Sequence, residues 1–149
     1  MSNFIVIAHR GNIKGPNKRL ENSPDYLLRA AEIGYHVEVD VWYIEKQFFL
    51  GHDEPEYQVP DEFLLNSKFW CHAKNISALS SLQRIGARCF WHQEDDVTLT
   101  SDGYLWTYPG KELKTNSIAL MPELWLKDTD PPLRCAGVCT DYASDWLLN

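Results

Sequence analysis

The run His36-Val37-Glu38-Val39-Asp40-Val41-Trp42 constrains this chain more than any other stretch. Side chains alternate across a strand, so the three valines fall on one face while Glu38 and Asp40 share the other. Two environments accommodate that pattern. An antiparallel strand would lay the valines on a core and leave both carboxylates in water. A parallel strand, its valines covered by crossover helices, would turn both carboxylates into a barrel interior. Unpaired charge is expensive there, and a divalent cation relieves the repulsion. Hard oxygen donors of this kind suit Mg2+ or Ca2+.

The rest of the chain bears on that choice. Short apolar runs bounded by Gly, Pro and charged residues recur at 4–8, 36–43, 47–50, 69–73, 88–92, 104–108, 118–121 and 136–140, and each reads as a strand. Ser23-Pro24-Asp25 supplies an N-cap, a first-turn proline and an acidic first turn. The helix it opens carries Tyr26, Leu27, Ala30 and Ala31 and stops at Gly34. A second helix opens at Asn75 or Ser77, carries Ile76, Leu79, Leu82 and Ile85, and stops at Gly86. Strand-helix-strand-helix order implies a parallel sheet with right-handed crossovers, hence a barrel or a doubly wound sheet. Beyond residue 92 the connections shrink to roughly 8–15 residues without helical period, where parallel crossovers usually need a dozen or more. The 149 residues fit one domain, 1–149. Asp130-Pro131-Pro132 reads as a stiff turn within it, not a boundary.

Charge and cysteine usage narrow the function classes. A net charge of −7 with no basic run excludes long nucleic acids as partners. One or two local cations still suffice to hold a single small phosphate, because contacts act locally. Cys71, Cys89, Cys135 and Cys139 form no CxxC pair or finger-like spacing, so they are expected as buried thiols in a reducing cytoplasm. The apolar run Phe4-Ile5-Val6-Ile7-Ala8 is too short for a signal peptide and reads as a first strand. No stretch approaches the roughly 20 apolar residues of a membrane span, and the expected location is cytoplasmic.

Candidate chemistry gathers at strand ends. His9-Arg10-Gly11 follows the first strand at the carboxyl end, where parallel α/β folds place ligands. A planar Arg offers bidentate donors to a phosphoryl group, and a neighbouring His titrates near neutral pH. Leu50-Gly51-His52-Asp53 ends another apolar run in the same way, and two histidines suit alternating acid and base roles, although His52 taken alone is equally a capping residue in a turn. His92 with Glu94-Asp95-Asp96 reads as a solvated acidic loop near the same end. Trp106 and Tyr108 read as core.

Together these pieces resemble the glycerophosphodiester phosphodiesterase family. Its pattern appears here as His9-Arg10-Gly11, Glu21-Asn22, Glu38-Val39-Asp40 and His52-Asp53, in family order and near family spacing, dense over residues 4–53. Gly137-Val138-Cys139-Thr140-Asp141 is similar to the family's last-strand signature, with Ala143 where a proline is usual. The resemblance implies a TIM barrel. At this length it would be a reduced TIM-like (β/α) barrel with trimmed helices in its C-terminal half. It implies a metal-dependent phosphodiesterase acting on a small glycerophosphodiester, with His9 and His52 as acid and base. Arg10 and Lys74 would hold the phosphate, Glu21 and Asn22 would support the site, and Glu38, Asp40 and His72 would hold the metal. His72 stands in His72-Ala73-Lys74 where the family has a glutamate, which brings Mn2+ or Zn2+ into play beside Mg2+ and Ca2+. A phosphate-binding relative without turnover is the rival reading. A phosphoryl-transfer enzyme acting on lipid head groups is disfavoured by the acidic composition and the lack of an anchor. A trimmed barrel would expose a sheet edge, which a homodimer could cover.

Overall fold

The computed structural model describes residues 3–146. In chain order the elements are β1 (Ile5–His9), α1 (Pro24–Ile33), β2 (His36–Ile44), β3 (Gln47–Leu50), β4 (Tyr57–Val59), the one-turn helix α2 (Asp61–Leu64), β5 (Phe69–Ala73), α3 (Ile76–Ile85), β6 (Cys89–Phe90), β7 (Val97–Leu99), β8 (Leu105–Thr107), β9 (Ser117–Leu120) and β10 (Gly137–Thr140). Short 3-10 turns lie at Pro122–Leu124 and Ala143–Asp145. All ten strands join one mixed sheet. Its centre is parallel, in the spatial order β6-β5-β2-β1-β10-β9-β8. β3 and β4 add an antiparallel meander to the end of β2, and β7 lies antiparallel on β8.

Local chemistry explains the two long helices. Pro24 occupies the first turn of α1, Asp25 complements its dipole, and Gly34 ends it at φ 124°, a conformation that costs side-chain-bearing residues dearly. Ser23 is the N-cap residue by position, but its hydroxyl donates to the Leu20 carbonyl (2.7 Å) instead of capping the helix. Asn75, not Ser77, opens α3: its Oδ1 accepts from the Ala78 amide at 2.9 Å. The same side chain pairs with both the amide and the carbonyl of Tyr43, tying the helix start to β2.

Alternation then sorts the sheet into two faces. Val37, Val39 and Val41 are fully buried on the convex face, beside Val6, Ala8, Cys71, Ala73 and Val138, under Leu27 and Ala30 of α1 and Ala78 and Leu82 of α3. Burying each valine contributes about 1.5–3 kcal/mol. The opposite parity lines the concave face, where Ile7, Trp70, Phe90, Trp106, Ile118 and Cys139 form a second buried cluster. Gly137 is required where β10 meets β1, because a Cβ there would lie 2.2 Å from the Ile5 carbonyl oxygen.

The sheet curls into an open half-barrel. It is not a closed (β/α)8 barrel, and among the described residues no α-helix follows α3. The strand expected over 88–92 contracts to Cys89–Phe90, too short to carry a ladder on both edges. Ser101 covers its free edge instead, donating its amide to the Cys89 carbonyl (2.8 Å) and accepting the Cys89 amide on its hydroxyl (2.9 Å). The next strand, β7, runs antiparallel, so the (β/α) alternation stops there. β4 and β7 lie on residues where period and composition announce no strand; both are held by neighbours. No helix among the described residues is long and apolar enough to cross a membrane.

Candidate metal centre and its histidines

Strand register assembles the site. His9 lies opposite Glu38 across β1 and β2, and Asp40 lies opposite His72 across β2 and β5. All four share the parity of Ile7 and Trp70, so they stand on the concave face directly beyond the aromatic floor. Of the two environments open to the β2 carboxylates, the parallel one holds. Glu38 is 3% exposed and Asp40 0%.

Glu38, Asp40 and His72 each offer one ligand atom within 4.8 Å of the others, close enough to surround one ion. Two of their oxygens ask for one. Glu38 Oε1 and Asp40 Oδ1 are buried and accept no well-aligned hydrogen bond among the described residues, a costly state for a carboxylate oxygen, although Oδ1 has the His72 ring beside it. A hydrogen bond on the far side of its ring aims His72 at both carboxylates. Its Nε2 donates to the His92 carbonyl (2.9 Å), which turns Nδ1 towards Asp40 Oδ1 at 3.3 Å and Glu38 Oε2 at 3.6 Å. Without an ion, a proton fills the role. Burial works against the imidazolium, but Asp40 and Glu38 outweigh it and push His72 up to about 9. Burial likewise opposes the Asp40 charge, while His52, His72 and Arg10 pull its carboxyl well below the usual range.

A tight shell fixes the carboxylates and the histidines. Asn22 grips Asp40 twice, accepting its amide and donating to Oδ2, both at 2.9 Å. His9 Nδ1 donates to Asp141 Oδ1 at 2.7 Å, leaving Nε2 facing Glu38 Oε2 at 4.0 Å. Burial resists its protonation, yet Glu38 and Asp141 raise His9 above its ordinary value. His52 donates from Nδ1 to Asp40 Oδ2 (3.3 Å) and accepts from Arg10 Nη2 on Nε2 (3.1 Å). Arg10 has a left-handed backbone, φ 56°, that carries its guanidinium over the site between Asp40 (3.4 Å) and Glu21 (3.5 Å).

Most of the residues singled out in the sequence meet in this one place. His9, Arg10, Glu21, Asn22, Glu38, Asp40, His52 and His72 converge. Lys74 continues the parity of His72, is half-buried, and its ammonium has no hydrogen-bond or ion-pair partner among the described residues. His92 departs from the solvated-loop expectation: it is buried, with Nε2 donating to the Asp95 carbonyl (2.7 Å), although Glu94, Asp95 and Asp96 are exposed. Trp106 is core, and Tyr108 is 44% exposed. Cys71, Cys89 and Cys139 are buried thiols and Cys135 is half-buried. Sequence reasoning missed the roles of Asp141 and Asn12. Asp141 was legible as the residue that ends the last strand with the parity of Cys139, whereas Asn12 gave no signal.

Beside the carboxylates a cleft of about 340 Å3 is lined by Arg10, Lys18, Glu21, Asn22, His52, Asp53 and Glu56. A larger hollow of about 460 Å3 lies among α2, α3 and Asp102 and contains none of the candidate residues. The site is therefore a buried carboxylate pair that could hold a metal ion together with His72, flanked by two histidines with different partners and an arginine. No family model, curated protein or solved structure matches this chain.

Proposed function

We propose that this chain is a metal-dependent phosphodiesterase that hydrolyses a small glycerophosphodiester-like substrate. The half-barrel is, on this reading, a reduced TIM-like (β/α) barrel whose C-terminal half has lost its helices. One observation carries the proposal: two buried carboxylates with orphan oxygens meet a histidine Nδ1 at ligand distance, with His9 and His52 on either side.

Glu38, Asp40 and His72 would hold a divalent ion, Mg2+ or Ca2+ by their oxygens and Mn2+ or Zn2+ by the imidazole. Once bound there, the ion supplies Lewis-acid polarisation of a phosphoryl oxygen. Arg10 lies next to that position, its guanidinium set between Asp40, Glu21 and His52, and it would turn donors onto a phosphoryl group by exchanging one of these partners. Lys74 adds a point charge from the neighbouring strand end. His9 and His52 divide the proton transfers. One accepts the proton of the attacking hydroxyl, from water or from a vicinal hydroxyl of the substrate, and the other protonates the leaving alkoxide. Attack by the substrate's own hydroxyl yields a cyclic phosphate.

Hydrolysis of glycerophosphocholine is assayed with Mg2+, Ca2+, Mn2+ or Zn2+ added in turn. Turnover in the wild type, abolished in His9→Ala and in His52→Ala with folding intact, is expected; full activity in either variant overturns the assignment. A binding protein without turnover is the second reading. It draws on the same His72, whose imidazolium already neutralises the carboxylates without a metal, and on Arg10, whose guanidinium is engaged by Glu21, Asp40 and His52. Calorimetric binding of the diester with no product after long incubation selects that reading.

A further inference from the structure

We infer that Asn12, held in place by the Tyr26 hydroxyl, is a positioning residue that sets His9 and Arg10 together. Asn12 is fully buried, and its carboxamide spends both hydrogens on carboxylates from distant parts of the chain. Nδ2 donates to Asp141 Oδ1 at 2.9 Å and to Glu21 Oε1 at 3.0 Å. Each carboxylate then reaches one functional side chain: Asp141 takes the His9 Nδ1 proton at 2.7 Å, and Glu21 Oε2 lies 3.5 Å from Arg10 Nη1. One amide therefore feeds two arms.

The third bond fixes its rotation. Tyr26 donates its hydroxyl to Asn12 Oδ1 at 2.9 Å, satisfying an acceptor that has no access to water. A flipped amide would turn its oxygen on two carboxylates that offer it no donor. The Tyr26 ring is itself set against the His9-Arg10-Gly11 turn, since a Cβ at Gly11 (φ 88°) would lie 2.7 Å from Tyr26 Cδ2. Helix α1 thus reaches that end of the sheet through the Tyr26 ring and, by hydrogen bond, through its hydroxyl. Without Asn12 the Asp141 and Glu21 carboxylates would also face each other with no donor between them.

The kinetic half of the inference rests on the phosphodiesterase reading, and the geometric half does not. Tyr26→Phe removes the hydroxyl and keeps the ring, and Asn12→Leu keeps the approximate size while removing both donors. Two measurements are made on the full chain. In the metal-free protein, the His9 Nδ1 proton is followed by NMR, with Asp141→Ala as the control that loses its acceptor. In the metal-loaded protein, glycerophosphocholine kinetics separate kcat from KM. Tyr26→Phe is expected to speed exchange of that ring proton and to lower kcat/KM about tenfold, with a fall in kcat from the His9 arm and a rise in KM from the Arg10 arm. Asn12→Leu is expected to lose the ring-proton signal; if it fails to fold, Tyr26→Phe alone decides. An unchanged ring proton in folded Tyr26→Phe, whether or not its Tm falls, overturns the inference. If the wild type shows no turnover on any phosphodiester, the function proposal fails while the ring proton still tests Asn12.

Discussion

At the scale of single residues, His72 carries the sharpest consequence. In the metal-free chain it is the cation that Glu38 and Asp40 flank. Replacing it by Glu removes that cation and packs three carboxylates together, so His72→Glu should lower metal-free stability by several kcal/mol. Ca2+ or Mg2+ should then restore stability and bind more tightly than to the wild type, whereas Zn2+ should gain less. Thermal unfolding with and without each ion measures both effects, and equal Tm values for the two proteins without metal would contradict the placement of the imidazolium. Asp141 makes a second case. Its carboxyl is held below the usual range by His9, Asn12 and Arg10 against the pull of burial. Asp141→Asn should leave the fold in place but cost ten- to a hundredfold in kcat, as loss of an orienting partner does; wild-type kcat would show that His9 needs no such partner.

Among the elements, the junction of β2 with α3 turns a strand into a platform for the site. Asn75 makes three bonds at once, capping α3 at Ala78 and pairing with the amide and carbonyl of Tyr43. Most N-cap deletions cost about 1 kcal/mol. Here two further part-buried bonds go with it, so Asn75→Ala should destabilise by about 2–3 kcal/mol, read as a shift in the urea midpoint with an unchanged slope. A loss below about 0.5 kcal/mol would mean that the Tyr43 bonds are made equally well by water. The elements also show where local reasoning ran out. Pro24, Asp25, Gly34 and Gly86 announced two helices because caps and breakers act through their own backbone. β4 and β7 had no such markers. Val97 and Leu99 are exposed, so their pairing with β8 is decided by the partner strand and not by burial of their own side chains.

For the whole molecule, pH and metal act on one linked equilibrium. The folded His72 pKa of about 9 exceeds the unfolded value of 6.5, so its contribution to metal-free stability is fully present below pH 6.5 and is lost as pH rises through about 9. His36 acts the other way. Burial first, then Arg88 and Lys68, depress it to about 4, so stability falls as pH drops from 6.5 towards 4. Asp40 and Asp141, held low, add a loss at still lower pH. The metal-free protein should therefore be most stable near pH 6.5 and lose on the order of 3 kcal/mol by pH 9. A metal held as proposed by Glu38, Asp40 and His72 would have to displace the His72 proton, so its affinity should rise up to tenfold per pH unit over the same interval, with proton release detectable by calorimetry in buffers of different ionisation enthalpy. Flat metal affinity from pH 6.5 to 9 would remove His72 from the ligand set.

What the amino-acid sequence determined by itself is local and periodic. The valine alternation of β2, the caps of α1 and α3, and a histidine at the end of an apolar run all depend on neighbours within a few residues, and so does the shared face of Glu38 and Asp40. Tertiary structure alone decided whether that face met water or an interior, because the answer depends on β1 and β5 flanking β2 in parallel. It decided that the sheet stops at a half-barrel, since the two-residue β6 is edged by Ser101 and not by another parallel strand. It also brought Asn12 to Asp141 across 129 residues, a pairing with no local signature at all, because β10 closes against β1 at the one glycine that admits it.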